Sequence, residues 1–222
     1  MDAPPAPLLD ELDAASRRLE TAAPSEIVAW VLERFSDNVA MACSFEDLVL
    51  VDIALGVAPD LEVIFLDTGF HFPETLAFAH GFCQERGVNL TTTTPGPEAD
   101  AWPCGTARCC ELRKVAPLQA ALEGRTAWLT ALKRVDASTR VNVPVVGWDE
   151  KFGLVKCNPL ATWTDDDIAY YLRDKGLAEH PLWAKGYASI GCEPVTRPVA
   201  PGESRRAGRW SDSNKEECGL HE

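Results

Sequence analysis

Apolar and polar positions along the chain alternate between two periods. "NVAMACS" is a short apolar run of the kind that forms a buried strand, and "FEDLVLVDIALGV" follows at helical spacing. "LEVIFLDTG" predicts a second strand, and the spacing from Pro73 through about Arg86 predicts a helix. "VNLTTTTP" is β-rich and is stopped by Pro95 and Gly96. A helix over "CCELRKVAPLQAALEG" leads to strands in "TAWLTALK" and "FGLVKCNPL". The helix "TDDDIAYYLRDKG" comes next, with Thr164 placed to cap it and Gly176 to end it. Strand and helix in alternation predict an α/β fold: a mainly parallel sheet flanked by helices. The expected division is an N-terminal helical segment over 1–36, a nucleotide-binding α/β domain over 37–180, and a loop-rich, mobile C-terminal segment over 181–222. The last of these holds Gly186, Gly191, Pro194, Pro198, Pro201, Gly202 and Gly208.

Composition narrows the class. The chain has 222 residues, 46% hydrophobic and 25% charged, enough for a sizeable core. Its first twenty residues carry acids and prolines without a continuous apolar run, which predicts neither a secretory signal nor a membrane span, and hence a cytoplasmic protein. A net charge of −13 disfavours nucleic acid and anionic membranes as partners. The cations are nevertheless gathered. Between Arg108 and Arg140 there are seven Lys or Arg against three acids, and "RRAGR" adds Arg205, Arg206 and Arg209. Two such segments suit a pocket for a small, highly charged anion; solvated surface charge is the other reading.

In a parallel sheet, ligands sit beyond the carboxyl ends of the strands. Two strand ends qualify here: "CSFED", with the hydroxyl of Ser44, and "LDTGFHF", with Asp67, Thr68 and Gly69. Neither is a Walker loop or a GxGxxG turn. Eight cysteines in a reducing compartment point to metal binding, catalysis or burial rather than disulfides. Cys109 and Cys110 are adjacent, a poor geometry for pairing with each other and a better one for a metal or cluster. Cys192, in "SIGCEPVT", is a third candidate, while the position that would complete a Cys-x-x-Cys is Val195. Cys43, Cys83 and Cys157 sit in apolar patterns and read as core.

Cys218, in the closing "KEECGLHE", is either a stray surface thiol or a nucleophile on a movable arm. Glu216 and Glu217 disfavour its thiolate, so activating charge has to come from elsewhere in the chain. No second cysteine accompanies it in the tail, so a covalent intermediate formed there needs an external thiol.

These segments together resemble one family. "IFLDTGFHFPET", "CCELRKVAPL", "LKRVDASTR", "VKCNPLATWTDDDI", "SIGCEP", "GRW" and "KEECGLH", in this order, are similar to the assimilatory adenylyl-sulfate and phosphoadenylyl-sulfate reductases, and more closely to the cluster-bearing bacterial adenylyl-sulfate branch. The resemblance implies an adenine nucleotide alpha hydrolase-like sheet and the reduction of adenylyl sulfate to sulfite and AMP, with thioredoxin or a similar dithiol as reductant. It makes Cys218 the nucleophile that carries an S-sulfocysteine intermediate, His221 part of the tail signature, and Lys114 the lysine near cluster and sulfate. Ser44 matches the loop that handles the adenylate phosphate, and Arg134, Arg140, Arg206 and Arg209 the basic residues around the phosphosulfate. Cys109, Cys110 and Cys192 match three ligands of a [4Fe-4S] cluster. Val195 stands where that branch has its fourth cysteine, and valine cannot ligate iron, so the expectation is a cluster site weakened or lost; a three-cysteine cluster and recruitment of Cys104 stay open. The paired cysteines favour adenylyl sulfate over the 3′-phosphorylated nucleotide. Two other classes compete: an ATP pyrophosphatase or adenylyltransferase, against which the glycine-free "CSFEDL" counts, and a zinc-structured module using Cys109, Cys110, Cys192 and His180.

Overall fold

The computed structural model describes residues 4–211, 215 and 217–221, the side chain of residue 37 excepted. Among the described residues, six strands and seven α-helices occur in the order α1 (Ala6–Leu19), α2 (Pro24–Phe35), β1 (Val39–Ala42), α3 (Val49–Val57), β2 (Val63–Leu66), α4 (Pro73–Arg86) and β3 (Leu90–Thr93). Then come α5 (Ala107–Cys110), a π turn (Glu111–Val115), α6 (Ala116–Ala121), β4 (Ala127–Leu129), β5 (Val146–Asp149), β6 (Leu154–Cys157) and α7 (Asp165–Lys175). The chain divides into two compact units, each assembled from separate stretches.

The first unit comprises Met1–Cys43, Leu48–Val63 and Leu122–Leu177. Its strands lie in the order β1-β4-β6-β5, with β1, β4 and β6 parallel and β5 antiparallel to β6. Val39, Ala40, Met41, Ala127, Trp128 and Leu129 are all buried, because a parallel strand covered on both faces has no solvent side. Each large side chain so enclosed stabilises the fold by about 1.5–3 kcal/mol. α7 is bounded as its sequence predicts. The Thr164 hydroxyl accepts from the Asp167 amide at 3.2 Å, the Asp167 carboxylate accepts from the Thr164 amide at 2.8 Å, and Gly176 ends the helix at φ +63°. Those hydrogen bonds from Thr164 hold the Asp167 carboxyl below its usual range.

Three local expectations change. The helix expected from Phe45 begins at Val49, since Phe45 is buried in the left-handed region at φ +54° and a helix cannot pass through it. The strand expected through Lys133 ends at Leu129; Lys133 Nζ turns instead to the carboxylates of Asp165 at 2.6 Å and Asp136 at 3.3 Å. β5 has no counterpart in the sequence reading. Its run "VPVVGWD" contains Pro144 and Gly147, which weaken a strand signal and suit an edge. The amides of Val145 and Val146 entering β5 donate to Ser16 Oγ of α1, at 3.1 and 3.4 Å.

The second unit comprises Ser44–Asp47, Ile64–Ala121 and Ala178–Glu222. β3 lies beside β2, and past the ladder the Asp67 amide still donates to the Thr93 carbonyl at 2.9 Å. Pro73 occupies the start of α4, where its missing N–H is harmless, and Gly87 at φ +63° stops the helix. The C-terminal segment is loop-rich but not coreless: Leu182 and Ile190 pack with Phe72, and Trp183 and Tyr187 lie against them. No helix among the described residues is long and apolar enough to cross a membrane.

Candidate active site

The sulfurs and cations that form the site all belong to the second unit. The loop after β2 is pinned from several sides. Asp67 Oδ1 accepts from the Gly69 amide at 2.9 Å, and Thr68 Oγ1 accepts from the Phe70 amide at 3.2 Å. Buried Arg113 donates to the Thr68 carbonyl at 2.8 Å and to Asp100 Oδ1 at 2.7 Å, and its guanidinium lies 4.4 Å from the Phe70 ring centroid. Gly69, at φ +71°, passes so close that a Cβ there would stand 3.2 Å from Arg113 Nη1.

The cysteine-bearing helix is started by Thr106, whose hydroxyl accepts from the Cys109 amide at 3.2 Å. Cys109 and Cys110 end α5 in buried positions, and the helix then widens into the π turn. A π turn inserts one residue into the helical register, rotating the next turn of helix by roughly 100°. Arg113 and Lys114 both lie within it, so their directions differ from those a continuous α-helix over 109–124 would give.

Lys114 is half-buried with its charged end enclosed. Burial pulls its pKa down, but the sulfurs of Cys218, Cys192 and Cys110 act the other way and leave it raised, with Arg209 opposing. The lysine is therefore an ammonium among sulfurs, and the Cys218 sulfur of the tail is the largest contributor to holding its charge. Cys192 is buried. A hydrogen bond from the Cys104 thiol, with further help from Lys114 and Thr68, holds it well below the usual thiol range against the effect of burial. Cys104 is raised correspondingly, first by that same hydrogen bond. The Thr68 hydroxyl lies 3.6 Å from Cys192 Sγ.

The C-terminal segment wraps this group with cations. Arg209 Nη1 donates to Ser189 Oγ at 3.3 Å and to the Ile190 carbonyl at 3.2 Å. Arg209, Lys215 and Arg206 all approach the Trp210 ring, at 4.6, 5.5 and 5.6 Å from its centroid. Lys215 Nζ donates to Cys110 Sγ at 3.0 Å, a contact the sequence reading missed because a tail lysine carries no periodic signal.

The remaining predicted residues fall in different places. Ser44 opens the loop Ser44–Asp47, which is tied to the C-terminal segment by Arg205 donating to Glu46 Oε1 at 2.7 Å. Arg206, expected at the substrate, reaches Glu217 Oε2 at 3.2 Å. Glu217 is buried, so the acid expected to burden Cys218 is met by a cation; Glu216 lies outside the described residues. Arg134 and Arg140 belong to the first unit, where Arg134 pairs with Glu20 and donates to the Val143 carbonyl at 2.8 Å, and Arg140 meets Asp136 at 3.4 Å. His221 is described, half-buried, three residues after Cys218. His180 is not a free ligand: Nδ1 accepts from the Leu182 amide at 3.2 Å and Nε2 meets Thr75 Oγ1 at 3.1 Å, which removes it from the zinc module.

The family model of the phosphoadenosine phosphosulfate reductase domain matches residues 38–198. The chain belongs to this family. Among the reductase relatives, the adenosine 5'-phosphosulfate reductase of Streptomyces coelicolor is 44% identical over 218 residues, covering 94% of this chain and 92% of that protein. The adenosine 5'-phosphosulfate reductase of Mycolicibacterium smegmatis is 41% identical over 220 residues, covering 94% and 92%. Of solved structures, the phosphoadenylyl-sulfate reductase of Candida auris, in a phosphate complex, aligns with TM-score 0.74 at 25% identity over 88% of this chain and 99% of that one. Yeast FAD synthetase aligns with TM-score 0.60 at 15% identity over 89% of this chain and 70% of that one, and shares the fold.

For a reductase of this family the sulfurs raise the question of a cofactor. Among the described residues no three His, Cys, Asp or Glu side chains converge as one metal ion requires. An iron–sulfur cluster makes a different demand, four thiolates spread around a core several atoms wide. Cys109, Cys110 and Cys192 are all buried, the last two within electrostatic reach of Lys114, and they fit that donor chemistry.

Proposed function

We propose that this chain reduces adenylyl sulfate to sulfite and AMP in assimilatory sulfate reduction, with Cys218 as nucleophile and thioredoxin or a similar dithiol as reductant. The observation that carries this reading is the enclosed ammonium of Lys114, kept charged chiefly by the Cys218 sulfur. The relatives that bear the name adenosine 5'-phosphosulfate reductase, at 44% and 41% identity over nearly the whole chain, support it.

The Cys218 thiolate attacks the sulfuryl sulfur. The bond from that sulfur to the bridging phosphate oxygen breaks, its electron pair leaving with AMP, and Cys218 carries an S-sulfonate. One thiolate of the dithiol then attacks Cys218 Sγ and expels sulfite. The second displaces Cys218, so the dithiol is oxidised by two electrons and the enzyme thiol is restored. Lys114 supplies the positive charge the acidic tail lacks and faces the charge that develops on the sulfuryl oxygens. Arg209, together with the Ser44 and Asp67 loops, binds the nucleotide phosphosulfate, and Arg206 fixes the tail through Glu217. His221, three residues after Cys218, completes the proposed set. A [4Fe-4S] cluster on Cys109, Cys110 and Cys192 would place fixed charge beside Lys114. The protein acts in the cytoplasm, where reduced dithiols are at hand.

Incubation with adenylyl sulfate in the absence of reductant, followed by mass spectrometry of the C-terminal peptide, should find a sulfonate on Cys218. An unmodified peptide at saturating substrate overturns the mechanism. The likeness to the phosphoadenylyl-sulfate reductase of Candida auris favours the 3′-phosphorylated nucleotide as a second reading. Competition between the two nucleotides in the same assay separates them.

A further inference from the structure

We propose that Cys104 is the fourth thiolate of the cluster site, occupying with Cys109, Cys110 and Cys192 the corner that Val195 cannot serve. The inference rests on the proposed cluster and replaces the expectation of a weakened site.

Four observations carry it. The Lys215 ammonium donates both to the carbonyl of Gly105, the residue after Cys104, at 3.1 Å and to Cys110 Sγ at 3.0 Å, and the Cys104 side chain interacts with the Cys192 sulfur 88 residues away in sequence. The same side chain is within electrostatic reach of Cys109 and of Lys114, whose charge also interacts with Cys110 and Cys192, so all four sulfurs share one neighbourhood. The Cys104 segment lies directly on residue 195: Gly105 is at φ +92°, and a Cβ there would stand 2.8 Å from Val195 Cγ1. Finally, the sulfurs accept outside hydrogen bonds, Cys110 from Lys215 at 3.0 Å and Cys192 within 3.6 Å of the Thr68 hydroxyl, the kind of support that steadies cluster thiolates.

The size of the guest is set by the same geometry. A lone tetrahedral zinc needs its sulfurs at about 2.3 Å, hence all close to one point. Adjacent residues of a helix point roughly 100° apart, so Cys109 and Cys110 spread their sulfurs. Among the described residues no trio converges on a single ion. A four-iron cluster takes one thiolate per iron, and Gly105, at φ +92° with Val195 against it, is a position only glycine can serve and lets the Cys104 segment lie against residue 195.

The test is iron and acid-labile sulfide per chain, with visible absorption and electron paramagnetic resonance, after anaerobic reconstitution of the full chain. The wild type should hold about four irons. Cys104→Ser should lose at least a quarter of the iron and acquire the signal of a three-iron cluster or none, while Cys104→Ser combined with Val195→Cys restores both content and spectrum. Cys109→Ser is the reference for a lost ligand. If Cys104→Ser keeps full iron and an unchanged spectrum while Cys109→Ser loses them, Cys104 is not a ligand although the cluster reading survives. If the wild type takes up no iron, or one zinc instead, the cluster reading falls and the inference with it. Restoration by Val195→Cys also guards against misfolding, since a merely unfolded Cys104→Ser protein would not be rescued by a sulfur at position 195.

Discussion

Lys215 Nζ stands 3.0 Å from Cys110 Sγ and 3.1 Å from the Gly105 carbonyl, so a cation three residues before Cys218 is docked on a sulfur 105 residues away in sequence. The contact fixes the tail by its charge rather than by apolar burial. An electrostatic clasp of this kind can open for the reductant at modest cost, since one charge-assisted hydrogen bond is worth about 1.5–3 kcal/mol.

Replacing this cation loosens the tail without touching the core. Lys215→Met is expected to lower kcat for sulfite release about tenfold, with the thermal midpoint nearly unchanged, and Lys215→Arg to retain most of the rate. Steady-state kinetics beside a melting curve check this; an unchanged kcat in Lys215→Met would show that the clasp has no part in turnover.

Lys114 is asked to do more. Removing a preorganised charge from a reaction centre typically costs about 10²–10³ in rate, so Lys114→Met should slow formation of the Cys218 sulfonate by about that factor in a single-turnover experiment. AMP release without reductant is the readout. A rate within about twofold of the wild type would remove Lys114 from the chemistry.

Gly191 makes room for Arg209. A Cβ at 191 would stand 2.0 Å from Nη2 and 2.3 Å from Cζ of the guanidinium, which would have to leave Ser189 Oγ and the Ile190 carbonyl. Gly191→Ala should raise the KM for the nucleotide roughly tenfold, the loss of one charged hydrogen bond, with the protein still folded. Equal KM values would place Arg209 outside the substrate site.

Stability should fall on acidification because of His180. Burial lowers its pKa from 6.5 to about 4, with Glu74, itself paired to Lys185 at 2.6 Å, pulling the other way. Between those values the unfolded chain takes up the proton and the folded one does not. The contribution is therefore whole above pH 6.5 and is lost as pH drops toward 4. From about pH 7.5 to 5.0 the loss is about 2 kcal/mol, measurable by urea unfolding, and His180→Gln should flatten that part of the profile. An identical pH slope in wild type and His180→Gln would refute the assignment.

Local order in this chain was written in local sequence. Thr164, Asp167 and Gly176 bound α7, Pro73 and Gly87 bound α4, and the apolar runs at 39–42, 63–66 and 154–157 became strands, because caps, prolines and burial periods act over a few residues. The family signature, too, is linear, and named the cysteines and the lysine before any distance was known. Tertiary structure alone decided which partners these groups meet. The π turn under Lys114, the clasp of Lys215 on Cys110, the pairing of Glu217 with Arg206 and the meeting of Cys104 with Cys192 join residues from stretches far apart in the chain. Such contacts depend on how loops close and where side chains lose water, and no window of neighbouring residues encodes either.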